Sequence, residues 1–163
     1  MHVKTKILVL SDSHGDREAM LEAVRKENPQ MIFHLGDYWR DGVWLHGQVP
    51  ALPLCQVAGN CDQYGSPDQV ETVLPVIEGV PLYLTHGHRQ QVKLTLLRLF
   101  FAAKEAGAQV ALYGHTHAAS CQEKDGILLL NPGACGGARG SYGILTLDNG
   151  TVHWETRGRE QED

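Results

Sequence analysis

Val110-Ala111-Leu112-Tyr113-Gly114-His115-Thr116-His117 is the stretch on which the reading of this chain turns. Four apolar or aromatic residues in a row read as a short buried strand, and the glycine then opens the backbone so that two histidines leave its carboxyl end. In extended chain, residues i and i+2 face the same side about 6.5 Å apart, so His115 and His117 can converge on one ion or reach two neighbouring ions. A polar loop that merely holds two histidines would look the same in this segment alone. What decides between them is how often the same construction recurs upstream.

It recurs at once. Lys6-Ile7-Leu8-Val9-Leu10 reads as a buried strand and is followed by Ser11-Asp12-Ser13-His14-Gly15. Residues 16–28 carry Ala19, Met20, Ala23 and Val24 at helical spacing, and Pro29 stops that helix. Residues 30–35 form a second expected strand, ending in Gly36-Asp37. Residues 38–48, with two tryptophans, Arg40 and several glycines, read as a loop or short helix. A third strand over 52–58, delayed by Pro53, ends in Gly59-Asn60-Cys61-Asp62. After a polar loop through Pro67, residues 71–77 and 80–85 read as an antiparallel pair across Glu78-Gly79, and the second strand delivers His86-Gly87-His88. Residues 92–106 are the expected long helix, with Val92, Leu96, Leu97, Phe100 and Phe101 on one face and Gly107 at its end. The remainder reads as hairpins turning at Asp125-Gly126 and at Asp148-Asn149-Gly150, with the loop Pro132-Gly133-Ala134-Cys135-Gly136-Gly137 between them.

Parallel strands joined by helices thus come first and antiparallel hairpins later. That order predicts an α/β protein of two stacked mixed β-sheets flanked by helices rather than one doubly wound sheet. At 163 residues the chain reads as a single domain over 1–156 with a charged tail over 157–163.

Composition narrows the function classes. Apolar residues make up 42% of the chain and charged residues 20%, as in ordinary globular proteins. A formal net charge of -5, with lysine and arginine scattered singly, argues against a nucleic-acid surface. Cys55, Cys61, Cys121 and Cys135 are dispersed and form no C-x-x-C pair, so they are expected as free thiols in a reducing compartment. The four-residue apolar run before Ser11 is too short for a signal-peptide core, and residues 94–103 are broken by Arg98 and too short to span a membrane. A cytoplasmic location follows as the expectation.

Asp12, His14, Asp37, Asn60, His86, His115 and His117 each fall just past the carboxyl end of an expected strand. That is the edge at which α/β architectures bind ligands, because loops converge there on a rigid base. Spacings of 25, 23, 26 and 29 residues separate Asp12, Asp37, Asn60, His86 and His115, close to one strand-connection-strand unit each. Each element alone is common, but the ordered set is specific. It resembles the calcineurin-like metallophosphoesterases, whose ordered elements are D-x-H, G-D, G-N-H/C-D/E, H and G-H-x-H. Chain length, Gly59-Asn60-Cys61-Asp62, His86-Gly87-His88 and Asn131-Pro132-Gly133 look most like the small YfcE-type phosphodiesterases, relatives of the retromer subunit that shares the fold.

The resemblance implies a two-sheet sandwich flanked by helices and a dinuclear centre. Asp12, His14, Asp37 and His117 would surround one ion, and Asp37, Asn60, His86 and His115 the other. Carboxylate, amide and imidazole ligands without thiolate suit Mn first, with Ni, Fe or Zn compatible. The implied activity is hydrolysis of a small phosphodiester by a hydroxide bridging the two ions. Asp37 would act as the bridging ligand and Asn60 as a ligand beside it. His86 is favoured over His88 as the fourth-element ligand, which leaves His88 nearer the substrate.

Cys61 stands where many larger relatives have histidine. A thiol donates a hydrogen bond less well than an imidazolium, so Cys61 is expected to weaken action on phosphomonoesters and to spare diesters. Against the enzyme stands a metal-binding protein-interaction scaffold on the same fold with little or no catalysis, and a nuclease is a third reading. An exposed apolar face on the long helix would point to a homodimer. His34 reads as a core or supporting residue, and His2, His46 and His153 as surface. Trp39, Trp44 and Arg40 would line a cleft or cap a core. Residues 133–137 would either present N–H groups to phosphate or form a plain turn.

Overall fold

Within the strand β1 (Lys4–Leu10), Ile7 and Val9 point one way and Leu8 and Leu10 the other, and all four are fully buried. Such a strand must have a packed layer on each face. The computed structural model describes residues 4–62 and 67–158. In it β1 runs parallel to β2 (Met31–His34), which runs parallel to β3 (Leu54–Gln56). On its other side β1 is antiparallel to β10 (Ser141–Asp148), which pairs with β11 (Thr151–Gly158).

A second sheet has the order β4 (Thr72–Val73), β6 (Val80–Thr85), β7 (Val110–Leu112), β9 (Ile127–Asn131), β8 (Ser120–Lys124), with β5 (Val76–Ile77) also paired to β6. The inner faces meet through Ile7, Val9 and Phe33 against Leu82, Leu84 and Leu112. On the outside of the first sheet, α1 (Arg17–Glu27) and α2 (Trp39–Gln48) pack Met20, Val24 and Leu45 over Leu8 and Leu10. On the outside of the second, α3 (Leu97–Glu105) packs Leu99, Phe100 and Ala103 over Tyr83, Ala111 and Leu129. Helix, sheet, sheet, helix is the layering expected from the order of elements. Both late hairpins close in two residues of positive φ, Asp125 (48°) with Gly126 (81°) and Asn149 (51°) with Gly150 (84°), the geometry that matches strand twist.

The long helix differs from its expectation. Residues 88–94 form successive turns in which Gln91 takes a φ of 55°, which breaks the helical phase. The helix restarts where the Thr95 hydroxyl accepts from Leu97 N (3.2 Å). Of the expected face, Val92 and Phe100 are buried and Leu96 partly so, joined by Leu99 and Ala103, while Leu97 and Phe101, with Leu94, stand exposed. That exposed row is the condition under which the sequence pointed to a homodimer. The strand expected over 71–77 is split at Pro75, which has no N–H for the ladder and whose carbonyl accepts from Leu82 N. The strand expected over 52–58 is regular only at Leu54–Gln56, because Pro53 cannot donate and Ala58 turns to bond Val70 O. β11 continues through Arg157 and Gly158, past the expected start of the tail. His2, residues 63–66 of the loop expected there, and residues 159–163 lie outside the described residues. Among the described residues no helix is long and apolar enough to cross a membrane.

One buried carboxylate ties the first layer together. Glu27, at the end of α1, accepts from Tyr142 Oη of β10 (2.5 Å) and from Arg157 of β11 (3.1 Å), and lies 3.3 Å from Lys6 Nζ of β1. Burial works against its charge, yet Tyr142, Lys6 and Arg157 together hold its pKa below the usual carboxylate value. A lowered pKa means stability that is complete above the unfolded value of about 4.3 and is lost as pH falls through the folded value. We expect Glu27→Gln to cost about 2 kcal/mol at pH 7 and the difference from wild type to shrink below pH 4, as read by urea unfolding at several pH values. A penalty unchanged down to pH 3 would contradict this.

Candidate metal centre

The parallel strands of both sheets end at one edge, and the chain crosses between them there. His115 N donates to Asp12 Oδ2 (3.1 Å), and His86 Nδ1 donates to Leu35 O (2.8 Å). Close approach of the sheets explains the glycines. A Cβ on Gly114 would lie 2.0 Å from Ser11 Oγ, and one on Gly59 would lie 2.2 Å from Asp37 Oδ1 and 2.7 Å from Asp37 N. Asp12, His14, Asp37, His115 and His117 all have φ between 45° and 72°, the left-handed region that residues with a Cβ seldom enter. Ligand-type residues held in that conformation are turned out of the strand ends and toward one another.

Each carboxylate is half engaged and half free. Asp12 Oδ2 accepts from Ser11 Oγ (2.5 Å) as well as from His115 N, whereas Asp12 Oδ1 is buried without a hydrogen-bond partner. Asp37 Oδ1 accepts from Cys61 N (3.0 Å), which leaves Oδ2 3.4 Å from His86 Nε2 and 3.7 Å from His14 Nε2. His117 Nε2 lies 3.2 Å from Asp12 Oδ1. Because His86 Nδ1 carries the proton given to Leu35 O, its Nε2 is the buried nitrogen left facing the carboxylates, also without a hydrogen-bond partner. Such orphaned atoms are costly in a protein interior unless a cation satisfies them.

Electrostatics agree. Burial opposes charge on His86, but Asp37 and Asp12 overcome it and raise its pKa. Burial likewise opposes ionisation of Asp37, and His86 with the Cys61 N–H holds its pKa well below the carboxylate range. The site therefore favours positive charge beside two ionised aspartates. One ligand atom each from Asp12, His14, Asp37 and His117 lies within 4.8 Å of every other, the set anticipated for the first ion. His86 and His115, anticipated for the second, have ring centroids 5.0 Å apart. The donor set is oxygen and imidazole nitrogen throughout, which suits first-row divalent ions.

This arrangement can be set beside other proteins. Residues 5–150 match the calcineurin-like phosphoesterase superfamily domain. The chain belongs to that superfamily. It is 35% identical to the probable metallophosphoesterase YsnB of Bacillus subtilis, covering 96% of this chain and 95% of that protein. It is 29% identical to the phosphodiesterase YfcE of Escherichia coli over 88% of each. In fold it superposes on Vacuolar Protein Sorting 29 from Cryptosporidium parvum with a TM-score of 0.73 at 17% identity, covering 97% of this chain and 99% of that one.

Around this cluster, other anticipated residues take distinct places. His88 lies beside His86 (ring centroids 5.5 Å) with its Nε2 3.2 Å from Glu71 Oε2, so it borders the cluster rather than facing the aspartates. Asn60 is exposed at the rim, its amide nitrogen 3.8 Å from Cys61 Sγ. Burial first, then the charges of Asp37 and Asp62, push the Cys61 thiol up to about 11. Trp44 caps the outer core beneath the Arg17 guanidinium, while Arg40 lies over Tyr38, whose ring meets that of His14. In the glycine loop, the N–H groups of Gly133, Cys135 and Gly137 are taken by Asn131, Ser11 and Asp16, which is the plain-turn reading. His46 and His153 are exposed as expected.

Apart from His34, the supporting residues are not marked in the sequence. Asp62 accepts from four backbone N–H groups, those of Asp37, Tyr38, Trp39 and Gly59, and so fixes both ligand-bearing turns. Fully buried His34 takes the supporting place foreseen for it. Gly36 N donates to its Nδ1, its Nε2–H therefore donates to Ser13 Oγ (2.9 Å), and Ser13 donates to Asp41 Oδ2 (2.8 Å). Burial outweighs the nearby carboxylates and keeps that imidazole neutral. Asp41 also receives Gly15 N and Arg17 Nε, which locks the loop carrying His14.

Proposed function

We propose that this protein is a metal-dependent phosphodiesterase that hydrolyses a small phosphodiester with two divalent ions, Mn foremost. The observation that carries this reading is the pair of buried, partnerless atoms, Asp12 Oδ1 and His86 Nε2, converging with Asp37 Oδ2 in an anionic pocket. Asp12, His14, Asp37 and His117 would hold one ion, and Asp37, Asn60, His86 and His115 the other. When bound, the ions supply a hydroxide nucleophile at neutral pH and the positive charge that draws in a phosphodiester. Among the chain's own groups, half-exposed His14 and His117 leave the cluster open on one side, where the phosphate enters. Asn60 and His88 flank the phosphate, and Cys61 stands beside Asp37 in place of a stronger proton donor.

The test is to strip the protein with chelator, restore Mn, and measure hydrolysis of bis-p-nitrophenyl phosphate beside p-nitrophenyl phosphate, in the wild type and in Cys61→His. We expect metal-dependent cleavage with the diester preferred, and a preference shifted toward the monoester by about a hundredfold in the variant, the lower end of general-acid assistance. An unchanged ratio would refute the role of Cys61. Absence of turnover with ions bound would transfer the assignment to a protein-interaction scaffold.

A further inference from the structure

Beyond the cluster lies a cleft of about 530 Å³ that runs from Asn60 and Gly59 at the metal-ligand turn, past His88 and Gln69, to Glu71 and Arg89. Its walls are polar for most of their length. A lipid or aryl group lodged there would strip water from amide, imidazole and charged groups without replacing their hydrogen bonds. The far end carries a fixed cation. Glu71 accepts from Arg89 Nε (2.8 Å) and from Arg89 Nη2 (3.2 Å), and its Oε2 also lies 3.2 Å from His88 Nε2. This fork holds the guanidinium by one edge, so that the Nη1 hydrogens on its other edge remain donors of defined direction. Arg89 is well exposed and takes no part in holding Asp12, Asp37 or the histidines between them.

Resting on the phosphodiesterase reading, we propose that this cleft receives one ester arm of the substrate, and that Arg89 selects an arm bearing a second anionic group. A phosphodiester seated on the cluster sends its two arms in different directions. One leaves over the open side at His14 and His117, and the other passes Asn60 into the cleft. The preferred substrate is thus a polar diester with a further phosphate or carboxylate on that arm. Glu71 is a positioning residue that presents the arginine.

The test is calorimetric binding to the Mn-loaded protein of thymidine 5′-phosphate, thymidine 3′,5′-bisphosphate and 3′-O-succinylthymidine 5′-phosphate, repeated with Arg89→Ala. One charge-assisted contact at a well-exposed site predicts up to about fivefold tighter binding of a doubly anionic ligand than of the monophosphate, and loss of that ratio in the variant. A gain with the bisphosphate alone identifies phosphate, and a gain with both identifies any anion. Equal affinities in the wild type, or a ratio that survives Arg89→Ala, would overturn the proposal. Its failure is separable from that of the enzyme. Diester hydrolysis without anion selectivity removes only the cleft assignment, whereas anion selectivity without hydrolysis removes only the catalytic reading.

Discussion

On the proposed function, replacing Asp37 by alanine is expected to weaken ion binding and to lower kcat/KM by about a thousandfold or more, equivalent to roughly 4 kcal/mol of lost transition-state stabilisation. Asp37 has this weight because of where its two oxygens go. Oδ1 is held by the Cys61 N–H, so the carboxylate cannot rotate away, and Oδ2 lies within 3.7 Å of both His14 and His86, one histidine from each proposed ligand group. Asp12 Oδ1 lies at comparable distances from the same two histidines (3.7 and 3.8 Å), so Asp37 is the proposed bridging ligand by its shorter approach to His86 and its anchored Oδ1. The histidines differ in this respect: His117 is half exposed at the rim, and its loss should weaken one ion without removing the other. Ion content by atomic absorption after dialysis, beside circular dichroism to confirm folding, checks the result. A folded Asp37→Ala protein with undiminished ion content would contradict the assignment.

Asp62→Ala should be the most damaging change outside the ligands. Its carboxylate accepts from Asp37 N (3.0 Å), Tyr38 N (2.9 Å), Trp39 N (2.6 Å) and Gly59 N (2.9 Å), which include the start of α2 and the two turns bearing Asp37 and Asn60. Acidic groups at that position satisfy donors that the helix itself cannot, and they oppose the helix dipole favourably. Loss of four partners in a half-buried place should destabilise the fold by about 3 kcal/mol, read by urea unfolding without added metal. It should also weaken ion binding at least tenfold, because Tyr38 and Asp37 keep their positive φ only while these bonds hold them. Asp62→Asn retains one acceptor oxygen and should recover part of the stability. If Asp62→Ala unfolds at the wild-type midpoint, Asp62 is not the clamp described here.

The sequence made the clustering of Asp12, His14, Asp37 and His117 legible and its supports much less so, for a physical reason. Asp12, Asp37, His86 and His115 follow apolar runs, and a buried strand ending in a polar turn leaves a local signature in the order of residue types. Their partners are chosen by proximity in space. Asp41 sits in α2 with no motif around it to mark it, yet it is buried against Ser13, Gly15 and Arg17, 24 to 28 residues away in the chain. The Glu71–Arg89 fork likewise joins two segments 18 residues apart with no motif in either. Layering was readable because it depends on the order of parallel and antiparallel connections. The start of α3 was only partly readable, since Gln91 enters a left-handed conformation that its residue type does not announce; Val92, Leu96 and Phe100 join the core as expected, but Leu99 and Ala103 take the places expected of Leu97 and Phe101. His34 was placed correctly as a supporting residue because a histidine inside an apolar strand must find internal partners.

Whether two divalent ions act together at this cluster is decided by a Mn titration of the metal-free protein followed by calorimetry, with diester hydrolysis assayed at each point. Two ions per chain, with turnover rising as the second binds, is the predicted result. Saturation at one ion per chain with full activity would contradict it.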